Sequence, residues 1–77
     1  MDKFSRGLLF AVLDHFRENF VARLKFDHKI NNYMFFIKTP KSQLTLEVLI
    51  YIYGYIQGKL KNKQYNYGIF IIPSNEK

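Results

Sequence analysis

Residues 20–38, FVARLKFDHKINNYMFFIK, decide the fold of this chain. Apolar side chains occur at every second position on both sides of a polar turn, which is the period of a half-buried strand. The residues on this apolar face are Phe20, Ala22, Leu24, Phe26, Tyr33, Phe35 and Ile37. The stretch therefore predicts an antiparallel hairpin, with its second strand running from Tyr33 to Lys38.

The turn of the hairpin lies within residues 27–32, and two centres fit the sequence. One is at His28 and Lys29, and the other is at Asn31 and Asn32, where asparagine tolerates the positive φ of a tight turn. Both choices pair the same faces. The face opposite the apolar one then carries Arg23, Lys25, Met34, Phe36 and Lys38.

A helix is predicted before the hairpin. Leu8, Val12 and Phe16 continue an i+4 row that starts at Phe4, and this spacing defines one face of a helix. Phe10 falls on the opposite, mixed side.

A second helix is predicted after the hairpin, with Thr39 as its N-cap and Pro40 at its first position. Its first part also alternates as a strand would, but its i+4 row outruns the usual strand of about five to six residues and favours a helix. That row is Leu44, Val48, Ile52, Ile56 and Leu60. Gly54 and Gly58 each weaken a helix by about 1 kcal/mol relative to alanine, so we expect them to end it or to allow a close contact.

The third strand is predicted from Tyr65 to Ile72, ended by Pro73 and followed by the polar tail of residues 73–77. Residues 69–72 are continuously apolar, so we expect them to be covered on both faces or to lie inside the sheet. A helical crossover makes the second and third strands parallel. The expected fold is a single α+β domain over residues 1–77, of order α-β-β-α-β, with a three-stranded sheet and two helices.

Length and composition restrict the kind of protein. A chain of 77 residues has room for one small domain, and its 48% hydrophobic content is too high for a disordered tail. Cysteine is absent, which excludes disulfides and thiolate metal sites and favours a cytoplasmic location. The apolar run at 44–56 is shorter than the roughly 20 residues that span a bilayer, so no membrane association is expected.

The net charge of +6 is concentrated in the middle of the chain. Between residues 21 and 63, Asp27 and Glu47 oppose a larger set of cations, whereas both ends are balanced. These cations are Arg23, Lys25, Lys29, Lys38, Lys41, Lys59, Lys61 and Lys63. Their clustering in sequence predicts a basic face.

Residues suited to catalysis are few. The Asp14-His15 and Asp27-His28 pairs are adjacent in sequence, and adjacent side chains diverge, so neither pair forms a base with its orienting carboxylate. The histidines lack the spacing of a metal site. We expect no enzymatic activity, no metal and no cofactor.

Basic residues interleaved with aromatic ones favour nucleic acid as the partner, because cations neutralise phosphates while rings stack on bases. The segment KLKNKQYNYGIFII, residues 59–72, adds lysines and tyrosines to those of the hairpin. The candidate nucleic-acid-binding residues are Arg23, Lys25, Phe36, Lys38, Lys59, Lys61, Lys63 and Tyr65. The alternative reading is that the lysines only keep an aromatic-rich domain soluble.

Residues 54–59, GYIQGK, invite comparison with glycine loops that hold phosphates or RNA. The α-β-β-α-β order is similar to part of a type II KH domain. KH domains use GxxG between two helices, whereas these glycines enclose three residues, and GxxxxGKS/T is not present either.

An excess of apolar residues outside the main core rows predicts an interface with protein. The candidate interface residues are Met34, Phe36, Tyr51 and Tyr55. A homodimer would use them, as would a small inhibitor or adaptor docking on an acidic protein or nucleoprotein. Frequent Lys, Asn, Ile, Tyr and Phe are typical of AT-rich genes, including those of phages and mobile elements. If helices covered both sheet faces, no such surface would be exposed.

Overall fold

A computed structural model describes residues 3–61 and 66–75, and for residues 3–6 only the helical backbone. The chain forms two helices and three strands in the predicted order, so the α+β class is confirmed. The elements are α1 (Lys3–Arg17), β1 (Val21–Asp27), β2 (Asn32–Pro40), a single 3-10 turn (Lys41–Gln43), α2 (Leu46–Leu60) and β3 (Tyr67–Ser74).

The sheet has the order β1-β2-β3, so β2 is its central strand. β1 pairs with β2 antiparallel, and β3 pairs with β2 parallel, as the helical crossover predicts. The backbone N–H of Tyr33 donates to the carbonyl of Asn66 at 2.8 Å, which fastens the start of β3 to the start of β2.

The hairpin pairs the predicted faces, with Leu24 opposite Phe35. Asp27 pairs with Asn32, so the turn consists of the four residues 28–31. It is centred between the two predicted positions. Asn31 has the positive φ of 55° that its side chain tolerates. Asp27 Oδ1 accepts a 3.0 Å hydrogen bond from the backbone N–H of Lys29, which stabilises the turn.

Both helices pack against the same face of the sheet. The core combines residues from both helices and the sheet: Leu9, Val12, Leu13 and Phe16 of α1; Ala22, Phe35 and Ile37 of the sheet; and Ile52, Ile56 and Leu60 of α2. Arg17 Nε also donates to the carbonyl of Ala22 at 3.0 Å, linking α1 to β1. The other face of the sheet is left uncovered by the described residues.

The predicted start of the second helix was wrong. Thr39 and Pro40 belong to β2, because Thr39 continues the inward alternation of Phe35 and Ile37 and is fully buried. The helix begins at Leu46, where Thr45 is the N-cap and its hydroxyl accepts from the backbone N–H of Val48 at 3.2 Å.

The prediction that the two glycines end the second helix was also wrong. α2 continues through Gly54 and Gly58 to Leu60, and both glycines are exposed. A Cβ placed on either one would meet no described atom within 4 Å. Within the described structure, they neither end the helix nor allow a close contact.

The expectation for residues 69–72 failed as well. β3 is an edge strand that runs through Pro73 to Ser74, and Phe70 and Ile72 are 53% and 39% exposed. The reason is that both helices lie on one face, so no described element covers the alternate side chains of β3 on the other face.

Candidate nucleic-acid interface

On the uncovered side of the sheet, nine residues form three cross-strand rows, which we call the open face. The rows are Val21, Lys38 and Ile72; Arg23, Phe36 and Phe70; and Lys25, Met34 and Gly68. Neighbouring rows are two positions apart along each strand, which is a distance of about 6.6 Å. Each row contains one cation, so positive charge is distributed along the whole face.

The central row carries the aromatic part of the open face. The rings of Phe36 and Phe70 are stacked, with centres 5.5 Å apart and planes inclined by 5°. Phe36 is half-buried, and Phe70 is 53% exposed. Arg23 is the third member of this row, on the other side of Phe36. A cation and an exposed ring therefore lie on the two sides of the half-buried Phe36 ring.

The third row is flat because it ends in glycine. A Cβ at Gly68 would lie 2.9 Å from Met34 Cε and 3.1 Å from Met34 Sδ. The methionine side chain therefore lies over the glycine and occupies the place of its missing side chain. This packing leaves the stacked ring pair as the raised feature of the face.

The cations of the open face are exposed and border one groove. Arg23, Lys25 and Lys38 line it together with Phe36. In the described strands Asp27 is the one acidic residue, and its carboxylate already accepts a hydrogen bond from the backbone of the turn. The field over this face is therefore positive, as a phosphate backbone requires.

Two of the other predicted cations, Lys59 and Lys61, do not join this surface. β3 is part of the sheet as expected, but Lys59 and Lys61 lie at the end of α2, in the helix layer. Lys59 Nζ is 5.5 Å from the centre of the Tyr55 ring, and Lys61 borders a depression shared with Gly58 and Tyr67 on the helix side. The remaining candidates, Lys63 and Tyr65, lie outside the described residues.

The predicted protein-interface residues divide between two sides of the molecule. Met34 and Phe36 are on the open face, whereas Tyr51 and Tyr55 pack against α1. The Tyr55 ring stacks on His15 with centres 3.8 Å apart, and the Tyr51 hydroxyl is hydrogen-bonded to His15 Nε2. Partial burial raises the pKa of Tyr51, and the nearby Tyr55 and Glu18 raise it further.

The exposed apolar surface expected from the sequence is confirmed. Six of the residues outside the core rows are at least 41% exposed: Phe10, Val21, Leu46, Ile50, Tyr51 and Tyr53. Sequence reasoning missed Phe70 and Ile72, since they were expected to be covered. Their alternation with Tyr67, Ile69 and Ile71, which face the helices, is the signal that could have found them.

Residues 3–61 and 66–75 contain no group of three or more histidine, aspartate or glutamate side chains that could hold a metal ion. Neither described helix has the length and apolar character needed to cross a membrane. The sequence matches no protein-family profile, and comparison with curated proteins and with solved structures finds no significant similarity.

Proposed function

We propose that this protein is a non-enzymatic binding domain whose open face binds single-stranded nucleic acid. The observation that supports this proposal is the central row of the open face, where Arg23 flanks the stacked rings of Phe36 and Phe70. Proteins that bind single strands combine a positive surface for phosphates with aromatic rings on which bases stack.

The chemistry of the face favours binding with little sequence preference. Every base has a face that stacks on a ring, and each such contact contributes about 1–3 kcal/mol. The nine residues of the open face include no asparagine, glutamine or acidic side chain to read base edges. Asp27 and Asn32 pair in the next row, at the turn, where Asp27 already accepts a backbone hydrogen bond. The nine residues also form a three-stranded sheet surface, whereas the major groove of a duplex admits a helix or a two-stranded ribbon.

The exposed ring of Phe70 provides the direct test. Phe70→Ala should weaken binding of a fluorescently labelled single-stranded oligonucleotide by about 1–3 kcal/mol, measured by anisotropy at low salt. Phe10→Ala is the matched control, because Phe10 is 48% exposed but lies on α1, away from the sheet. Circular dichroism verifies that both variants fold.

Equal affinity of the native protein and Phe70→Ala would contradict stacking on this ring. Equal losses in the two variants would contradict the open face as the site, since the control ring is far from it. If the protein bound neither DNA nor RNA oligonucleotides at low salt, the proposal as a whole would be wrong.

Docking of an acidic protein on the open face is a second candidate function. It is favoured by the apolar members of the face, since Val21 is 64% exposed and Phe70 and Ile72 are its exposed neighbours across the sheet. The cations lie beside these apolar side chains, Lys38 between Val21 and Ile72, and would complement an acidic partner. An inhibitor or adaptor of this kind would bind its partner from the native host through Phe70 and Ile72 and would not bind oligonucleotides.

A further inference from the structure

The face of α2 opposite its buried residues, which we call the outer face, is uncovered in the described structure. Leu46 and Ile50 are 72% and 62% exposed, and Gly54 and Gly58 are exposed beside them. The buried residues of the helix lie on its opposite side: Ile52, Ile56 and Leu60. Large apolar side chains therefore occupy the first half of this outer face, and glycines occupy the second half.

We propose that the outer face of α2 binds a second copy of this chain, with the two α2 helices antiparallel about a two-fold axis at Gly54. In that arrangement, Ile50 of one copy faces Gly58 of the other, because each is four residues from Gly54. The large side chain then occupies the space that the glycine leaves. A two-fold interface requires one surface that complements itself. The order of large and then small residues along α2 meets this requirement, because the antiparallel arrangement places large residues opposite small ones.

Charge complementarity supports the same register. Glu47 and Lys61 are each seven residues from Gly54, which is close to two helical turns, so they lie on the same stripe of the outer face. The two-fold axis places Glu47 of each copy opposite Lys61 of the other. Parallel helices would instead oppose like charges. Exposed ion pairs of this kind select orientation more than they add affinity.

The dimer also explains why glycines occupy the interior of a helix. Glycine weakens a helix, and within one copy no contact compensates, since a Cβ at Gly54 or Gly58 would meet no described atom within 4 Å. Close approach of a second backbone is a reason for glycine that the single chain lacks. The open face lies on the opposite side of each copy, so this dimer is independent of nucleic-acid binding.

The test is the mass of the full chain in solution. Sedimentation of the native protein over micromolar concentrations should show a monomer–dimer equilibrium. Gly54→Leu should raise the dissociation constant of the dimer at least about tenfold. It should also raise the melting temperature of the monomer, because leucine is the better helix former and has open space there.

Gly7→Leu is the matched control. Gly7 is an exposed glycine within α1, and a Cβ there would also meet no described atom within 4 Å. This variant should stabilise its helix and leave the dimer unchanged. A dimer that persists in Gly54→Leu, or a native chain that is monomeric at every concentration, would overturn the proposal.

Charge reversal tests the antiparallel register. Glu47→Lys and Lys61→Glu should each weaken the dimer, and the double variant should restore it, although both changes oppose the dipole of α2. A double variant weaker than either single one would overturn the register. Loss of the dimer in Phe70→Ala, with Gly54→Leu unaffected, would show that the second copy binds the open face instead.

Discussion

Thr39 places a hydroxyl group inside an apolar core. Its side chain is fully buried beside Phe35 and Ile37, and Oγ1 has no hydrogen-bond partner among the described residues. Because valine has the same shape without the polar atom, Thr39→Val should raise the free energy of unfolding by about 1 kcal/mol. Urea denaturation measures the change. A less stable variant would show that the Thr39 hydroxyl has a hydrogen-bond partner in solution.

Tyr51 makes stability depend on pH at the alkaline end. Partial burial, with Tyr55 and Glu18 nearby, raises its pKa above the ordinary tyrosine value of about 10 in the folded state. The folded chain therefore retains the phenol proton at a pH where the unfolded chain has released it. The stabilisation is complete below pH 10 and is lost as the pH rises through the folded pKa.

Thermal unfolding of the native protein and Tyr51→Phe across pH 9 to 11 tests this dependence. The native protein should lose stability more steeply than the variant. The difference should be small, since Tyr51 is 44% exposed. Parallel profiles would contradict a raised pKa at this residue.

At the scale of the element, α2 depends on a cap that the sequence did not reveal. Thr45 is extended, with φ −112° and ψ 166°, and its hydroxyl accepts from the N–H of Val48. Thr45→Ala should lower the free energy of unfolding by about 1 kcal/mol, because that N–H then loses its partner. Thr45→Ser retains the oxygen and should be close to native. Equal stability of the alanine variant, measured in urea, would contradict the cap.

Element boundaries were the weakest part of the sequence-based prediction. Thr39 and Pro40 have the residue types of a helix start, yet they continue β2, because an inward position opposite Pro73 was available for Thr39. Local signals mark where a helix is able to begin. Packing decides which of two such signals, Thr39 or Thr45, is used.

For the whole molecule, we expect the position of the cations to determine nucleic-acid binding more than the net charge does. If the three cations of the open face contact phosphates, the logarithm of affinity for a single strand should fall against the logarithm of salt concentration with a slope of about −2. Lys38→Gln should reduce that slope by about 0.7, whereas Lys59→Gln, which makes the same charge change in the helix layer, should leave it unchanged. Anisotropy titrations at several salt concentrations measure both. Equal effects would indicate diffuse attraction rather than a site on the sheet.

Hydrophobic periodicity along the chain was sufficient to predict the order of elements, the pairing of the hairpin faces and the parallel third strand. These features depend on neighbours in sequence or on one crossover, which local patterns encode. The residues Arg23, Lys25, Phe36 and Lys38 were placed on one face for the same reason.

The tertiary structure decided which surfaces are free. Both helices pack on one side of the sheet, and this choice exposes Phe70 and stacks it on Phe36, 34 positions away in the chain. It also places Lys59 and Lys61 in the helix layer and leaves the glycines of α2 facing outward. Periodicity shows that a strand has two faces, but only packing between distant elements determines which face is covered, because the hydrophobic effect rewards burial regardless of which partner supplies it.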